Sequence, residues 1–305
     1  MENHTATTQH SHNHSHGHDH VHDSGKNIAV AFFLNFSFTI IEAVGGLLTN
    51  SIAILSDAVH DFGDCISLGL AWYFDKVAKK KPSARYTYGY KRFSLLGALI
   101  NCIVLFAGSA WVIYESVTRL FDPQEVAVTG MFWLSVGGII VNGAAVLKTR
   151  SGKGVNERVV SLHLLEDVLG WVAVFIVSIV MMFVNLPILD PILSLGISVF
   201  IIINVVKNLN TTMKVILQGI PDNYDPKEFV GDLLQLDNLV EVHDLHVWSL
   251  DSEYNIASMH VVVNDWNHEA LVKLKHQIKE ITLQHNINHV TVEFETSNEI
   301  CERCD

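Results

Sequence analysis

The chain has 305 residues, 49 % of them hydrophobic and only 17 % charged, with a formal net charge of −12. Charge this sparse, combined with apolar residues gathered in long blocks, excludes an ordinary soluble domain. The acidic balance excludes nucleic acid as a partner, since phosphate binding needs clustered Lys and Arg, and the few Cys give no disulfide framework.

The first stretch, residues 1–26, reads as a disordered cytosolic tail. His4, His10, His12, His14, His16, His18, His20 and His22 sit among Ser, Asn, Gly and Asp, and such a segment buries nothing. Weak multivalent metal capture is its expected role. No cleavable signal peptide is read, because the first apolar stretch is too long for one. Six apolar segments follow, at about 27–48, 52–75, 93–118, 126–147, 159–184 and 190–214. Each is near the ~20 residues that cross a bilayer core, so 27–214 is expected to be a six-helix transmembrane domain. Lys76, Lys79, Lys80, Lys81, Arg85, Lys91 and Arg92 follow the second span; Lys148, Arg150, Lys153 and Arg158 follow the fourth. The loops after the first and fifth spans carry no Lys or Arg. By the positive-inside rule both termini face the cytoplasm.

After Lys214 the composition becomes that of a soluble unit, assigned to 215–296. Asp225–Leu236 reads as a helix with Pro226 in its first turn. Val240–Leu250 and Tyr254–Asn264 read as strands, 268–285 as a helix and 289–295 as a last strand. The order α-β-β-α-β predicts a small ferredoxin-like α/β domain. Residues 297–305 form a tail holding Cys301 and Cys304.

The second span places Asp57, His60, Asp61 and Asp64 on one helix face. Three Asp near a bilayer centre cost about 8–10 kcal/mol on an insertion scale, and the apolar residues of the span return only about 3–5 kcal/mol. That face must therefore meet water, a counter-charge or a metal. The fifth span supplies a match in His163 and Asp167, beside Glu166. His60/Asp64 and His163/Asp167 each place imidazole and carboxylate one turn apart. Packed together, the two helices offer two nitrogens and two oxygens, a tetrahedral set suited to Zn²⁺. Mg²⁺ and Ca²⁺ prefer more oxygens, and Ni²⁺ and Cu²⁺ other geometries. A purely structural ion-pair role lacks cations, as neither span contains Lys or Arg. Asp57 and Asp61 are left between orienting the ligands and lining a hydrated path. An imidazole binds metal only when neutral, so proton binding at His60 and His163 would expel the ion.

The run Asn50–Ser51–Ile52–Ala53–Ile54–Leu55–Ser56–Asp57–Ala58–Val59–His60, with Asp64, resembles the second span of the cation diffusion facilitator family. Tyr86–Thr87–Tyr88–Gly89–Tyr90–Lys91–Arg92 resembles that family's motif before span three, and His163–Leu164–Leu165–Glu166–Asp167 its fifth span. The resemblance covers nearly the whole chain. It implies a homodimeric antiporter that exchanges cytosolic Zn²⁺ for protons by alternating access, with Cd²⁺ and Co²⁺ as further candidates, in a bacterial cytoplasmic membrane or, as the rival, an intracellular vesicle. Ser94 departs from the acidic residue many relatives carry, and the loop between spans four and five lacks a His-rich insert.

In the soluble domain, His243, His246, His260, His289, Glu295, Cys301 and Cys304 are metal candidates. Alternation puts Ala257, Met259, Val261 and Val263 on an apolar face and His260 on the other; Val290, Val292 and Phe294 likewise oppose His289, Glu293 and Glu295. The family resemblance implies a regulatory Zn²⁺ bound by His243, His260 and Glu295, with His289 less well aligned, and points to the terminal Cys-x-x-Cys as a metal site. His246 and Trp248 share a strand face and read as packing residues. No enzyme is expected, since four protein ligands close a metal to catalysis and no Gly-x-Ser-x-Gly motif is present. A metal-gated sensor or channel is the remaining alternative.

Overall fold

The computed structural model describes residues 21–149, 155–222, 224–297 and 299. The bulk of the His-rich tail and the Cys301/Cys304 pair lie outside the described residues. Six long helices come first: α1 (Val21–Thr49), α2 (Ile52–Ala78), α3 (Phe93–Phe121), α4 (Val128–Thr149), α5 (Val155–Phe183) and α6 (Leu189–Ile216). Residues 21–26, expected in the tail, form the first turns of α1. Length and composition suit four for crossing a membrane: α3, 128–147 of α4, 164–183 of α5, and α6. In α1 the stretch Asn35–Thr49 is apolar, and the sequence carries the apolar run back to Ile28. The acids of α2 break its apolar run.

α2 is the hub of the bundle, touching α1, α3, α5 and α6. Close approach rests on glycine at two crossings. A Cβ on Gly63 would stand 2.3 Å from Leu105 of α3, and one on Gly138 of α4 would stand 2.2 Å from Trp171 of α5. Ile103, Phe106, Trp133, Ile140 and Ile176 point outward and are exposed, as side chains facing lipid would be.

One end of α2 is fixed by a polar cluster. Asn50 adopts φ 55° and ends α1, with Ser51 N–H returning to Gly46 C=O at 3.0 Å. Ser51 Oγ accepts from Ile54 N and donates to Asp190 of α6 at 2.6 Å. Asp190 also accepts from Ile52 N at 2.7 Å and Ala53 N at 3.3 Å. A carboxylate on a helix N-terminus satisfies donors that have no intrahelical partner and meets the positive end of the dipole. This locks the height of α2 against α6.

The C-terminal domain contains α7 (Pro226–Leu233), β1 (Leu239–Ser249), β2 (Asn255–Val263), α8 (His268–Gln284) and β3 (Ile287–Thr296), in the order expected. Asp225 caps α7 through Lys227 N, with Pro226 following, and Asn267 caps α8 through Glu269 N. β2 is central, antiparallel to β1 and parallel to β3. Phe229, Leu233, Leu274 and Ile278 from the helices pack on Ala257, Met259 and Val261, giving a two-layer unit whose other sheet face carries His243, His260 and Glu295. Burial raises the pKa of the Tyr224 hydroxyl beside Phe229, with Asp225 adding to the shift.

The α2–α3 loop joins the two parts. Lys91 Nζ lies 3.6 Å from Asp251 Oδ2 and 4.5 Å from the centre of the Tyr254 ring, and Tyr88 meets His289 edge to face at 5.7 Å.

Candidate metal sites

A cavity of about 470 Å³ opens between α2, α5 and α6. α2 contributes Asp57 and His60, α5 contributes Glu166, Asp167 and Gly170, and α6 supplies an apolar wall that includes Ile197 and Phe200. Helical spacing explains the first two groups: Asp57 with His60, and Asp167 with Gly170, are each three residues apart and share a face. At Gly170 the two helices come into ordinary contact: a Cβ there would stand 3.5 Å from Asp57 Oδ1. His60 Nε2 lies 3.8 Å from Asp64 Oδ2, one turn along α2. His163 sits one turn before Asp167 on α5, but its side chain is outside the described residues. Among the described residues, these membrane donors do not close to a group of three within 4.8 Å of one another. Among the described residues, the structure brings His60, Asp57 and Asp167 to one cavity.

Asp57 and Asp61 part company. Asp57 lines the cavity and is 6 % exposed. Asp61, equally buried, lies beside Glu42 of α1, which Asp57 and Asp167 also approach. Sequence reasoning alone does not single out Glu42. It is 1 % exposed, its strongest electrostatic neighbour is Asp61, and neither carboxyl oxygen reaches normal hydrogen-bond geometry with a described group. The insertion cost that singled out α2 applies equally to one acid in the apolar half of α1, so the signal was present. Asp190 was passed over in the same way, and the structure gives it the capping role described above.

The second site stands on the sheet. His243 and His260 are directly paired across β1 and β2, with ring centres 5.4 Å apart. Glu295 pairs with Val262, the alternate residue on the same face as His260. Its oxygens reach both imidazoles: Oε2 is 3.0 Å from His243 Nε2, and Oε1 is 2.6 Å from His260 Nδ1. The three residues can each offer a donor within 4.8 Å of the others. His243 Nε2 is buried and makes no hydrogen bond of proper geometry despite its 3.0 Å distance to Glu295. Nitrogen and oxygen lone pairs that converge in this manner suit Zn²⁺, whose ligands at about 2.0–2.2 Å stand some 3.3 Å from each other. Asp244 and Glu293 lie 3.4 and 3.5 Å from His260 Nε2, within reach as further oxygen donors or orienting groups.

Two sequence expectations fail here. His289 does not join this set: it pairs with Ile256 four residues along the sheet from the His260–Glu293 pair, and rests against Tyr88. His246 is exposed rather than packed, bonded to Asp244 at 2.9 Å. It still shares a strand face with Trp248, because the register is continuous from His246 to Ser249 and the bulge, with Asp244 at φ 48°, lies before it; what fails is the packing.

Comparison with known proteins agrees with both parts of the structure. Residues 28–217 match the cation efflux transmembrane domain, and residues 221–297 match the cytoplasmic domain of cation efflux proteins. The chain is 34 % identical over 281 residues to the cadmium, cobalt and zinc/H(+)-K(+) antiporter of Bacillus velezensis, covering 89 % of this chain and 88 % of the relative. It is 31 % identical over 288 residues to the zinc transporter ZitB of Pectobacterium atrosepticum, covering 92 % and 87 %. It is 32 % identical over 286 residues to the metal cation efflux system protein CzcD of Cupriavidus metallidurans, covering 92 % and 89 %.

Proposed function

The chain belongs to the cation diffusion facilitator, or cation efflux, family, and from that premise we propose that it exports Zn²⁺ from the cytosol in exchange for protons, by alternating access. The observation that carries this reading is the cavity to which α2 brings Asp57 and His60 and α5 brings Asp167. His60, Asp64, His163 and Asp167 hold the cargo ion, and Asp57 lines its path. Cd²⁺ and Co²⁺ travel by the same route, in keeping with the cargo named for the relatives.

All six long helices cross the membrane, and both termini are cytoplasmic. The basic loops support that orientation. So does the contact of the α2–α3 loop with the domain matched to cytoplasmic domains of the family. The relatives point to a bacterial cytoplasmic membrane. The ferredoxin-like domain is read as the homodimer contact, and His243, His260 and Glu295 as a regulatory Zn²⁺ site within it.

Proton exchange follows from the ligand chemistry. Neutral imidazole binds the ion, whereas protonated imidazole offers no lone pair and repels it. A face exposed to lower pH therefore releases metal, and the reset transporter returns carrying protons. In vesicles holding the purified protein, zinc flux is expected to saturate with zinc and to follow an imposed pH gradient. Flux that ignores the gradient refutes exchange, and an unsaturable voltage-driven current favours a channel.

A further inference from the structure

We propose that the segment linking α2 to α3 is a binding surface for anionic phospholipid headgroups of the cytoplasmic leaflet. This rests on the reading that α2 crosses the membrane. Lys76, Lys79, Lys80, Lys81 and Arg85 fall within ten residues, and no Asp or Glu occurs from 76 to 92, in a chain with 32 acidic and 20 basic residues. Lys80, Lys81 and Arg85 are exposed, and among the described residues none of the three makes an ion pair. Lys91, further along, is already engaged by Asp251 and Tyr254.

Two observations set the height and side of this patch. Trp72 and Tyr73, on the last turns of α2, are 49 % and 56 % exposed, and Lys76 Nζ lies 3.7 Å above the Trp72 ring. Exposed Trp and Tyr beside a snorkelling Lys mark the headgroup level of a bilayer, so the lysines that follow stand where phosphates are densest. The loop contacts the domain matched to cytoplasmic domains, which places it at the leaflet whose lipids are negative. Nucleic acid is a poor rival for a chain of net charge −12. Because the same loop presents Lys91 to Asp251, lipid held at Lys80–Arg85 also tethers the soluble domain to the membrane surface.

The test uses the full chain purified in neutral detergent, with bound lipid counted by native mass spectrometry during titration with phosphatidylglycerol or phosphatidylcholine. The wild type is expected to retain phosphatidylglycerol in preference, and to lose that preference in high salt. The variant Lys80→Gln/Lys81→Gln/Arg85→Gln should bind it about a hundredfold more weakly, at about fivefold per charge. Lys80→Arg/Lys81→Arg should bind as the wild type does, separating charge from folding. Equal retention of the two lipids, an unchanged triple variant, or displacement by equimolar inorganic phosphate overturns the proposal. None of these readouts involves zinc, so zinc flux by the same preparation in neutral-lipid vesicles judges the transport reading separately.

Discussion

The chain carries His and carboxylate donors in two settings, and they are built in opposite ways. In the C-terminal domain, strand register does the assembling: His243 faces His260 across one rung, Glu295 lies diagonally next to them, and three donors converge with little left to adjust. In the bundle, the donors come from α2 and α5, two helices that meet along a short contact at Gly170, and they border an open cavity of about 470 Å³. A sheet site of that kind favours holding an ion. A site divided between two helices can be made and unmade by a small relative motion, as a carrier requires.

The sharpest way to break that contrast is to swap the losses. Asp167→Asn is expected to reduce zinc flux at least about a hundredfold while zinc affinity at the sheet is unchanged. His260→Ala should do the reverse, with flux at saturating zinc retained; calorimetry and vesicle flux on each variant decide it. Next in size is the anchor of α2. Asp190→Ala leaves the Ser51 hydroxyl and two backbone N–H groups without their acceptor, so a loss of about 3 kcal/mol is expected, read as a lower unfolding temperature in detergent. The smallest effect concerns pH. Zinc at the sheet competes with protons for its imidazole donors, so affinity should be lower at pH 6 than at pH 8. Titrations at pH 8 and pH 6 on the His60→Ala background give the slope, and a flat profile argues against imidazole ligation.

Much of this was legible in the sequence because its causes are local. Apolar blocks and basic loops located the helices, and the cost of acids in lipid drew attention to α2. Alternation gave the strands their faces, which is why His260 and Glu295 were set opposite the core. What escaped depends on neighbours distant in the chain. The role of Asp190 exists only because α6 lies against the start of α2, and Glu42 matters because α1 turns it toward Asp61. Asp61 itself is indistinguishable from Asp57 on a helix wheel, yet only Asp57 lines the cavity, while Asp61 lies nearest Glu42. Sharing a face with Trp248 does not bury His246, which stays exposed and bonds to Asp244, and His289 lies four residues along the sheet from the His260–Glu293 pair.

The central claim is that α2 and α5 share a single ion, and a thermodynamic cycle measures sharing directly. Zinc affinity would be determined by calorimetry on a background that lacks residues 1–22 and carries His243→Ala/His260→Ala and Cys301→Ser/Cys304→Ser, so that binding at the tails and the sheet does not mask the bundle site. His60→Ala, Asp167→Ala and the double variant should each lose the same binding event, with the double variant no weaker than the worse single. Losses that simply add, or undiminished binding in either single variant, would mean the two helices do not hold one ion between them.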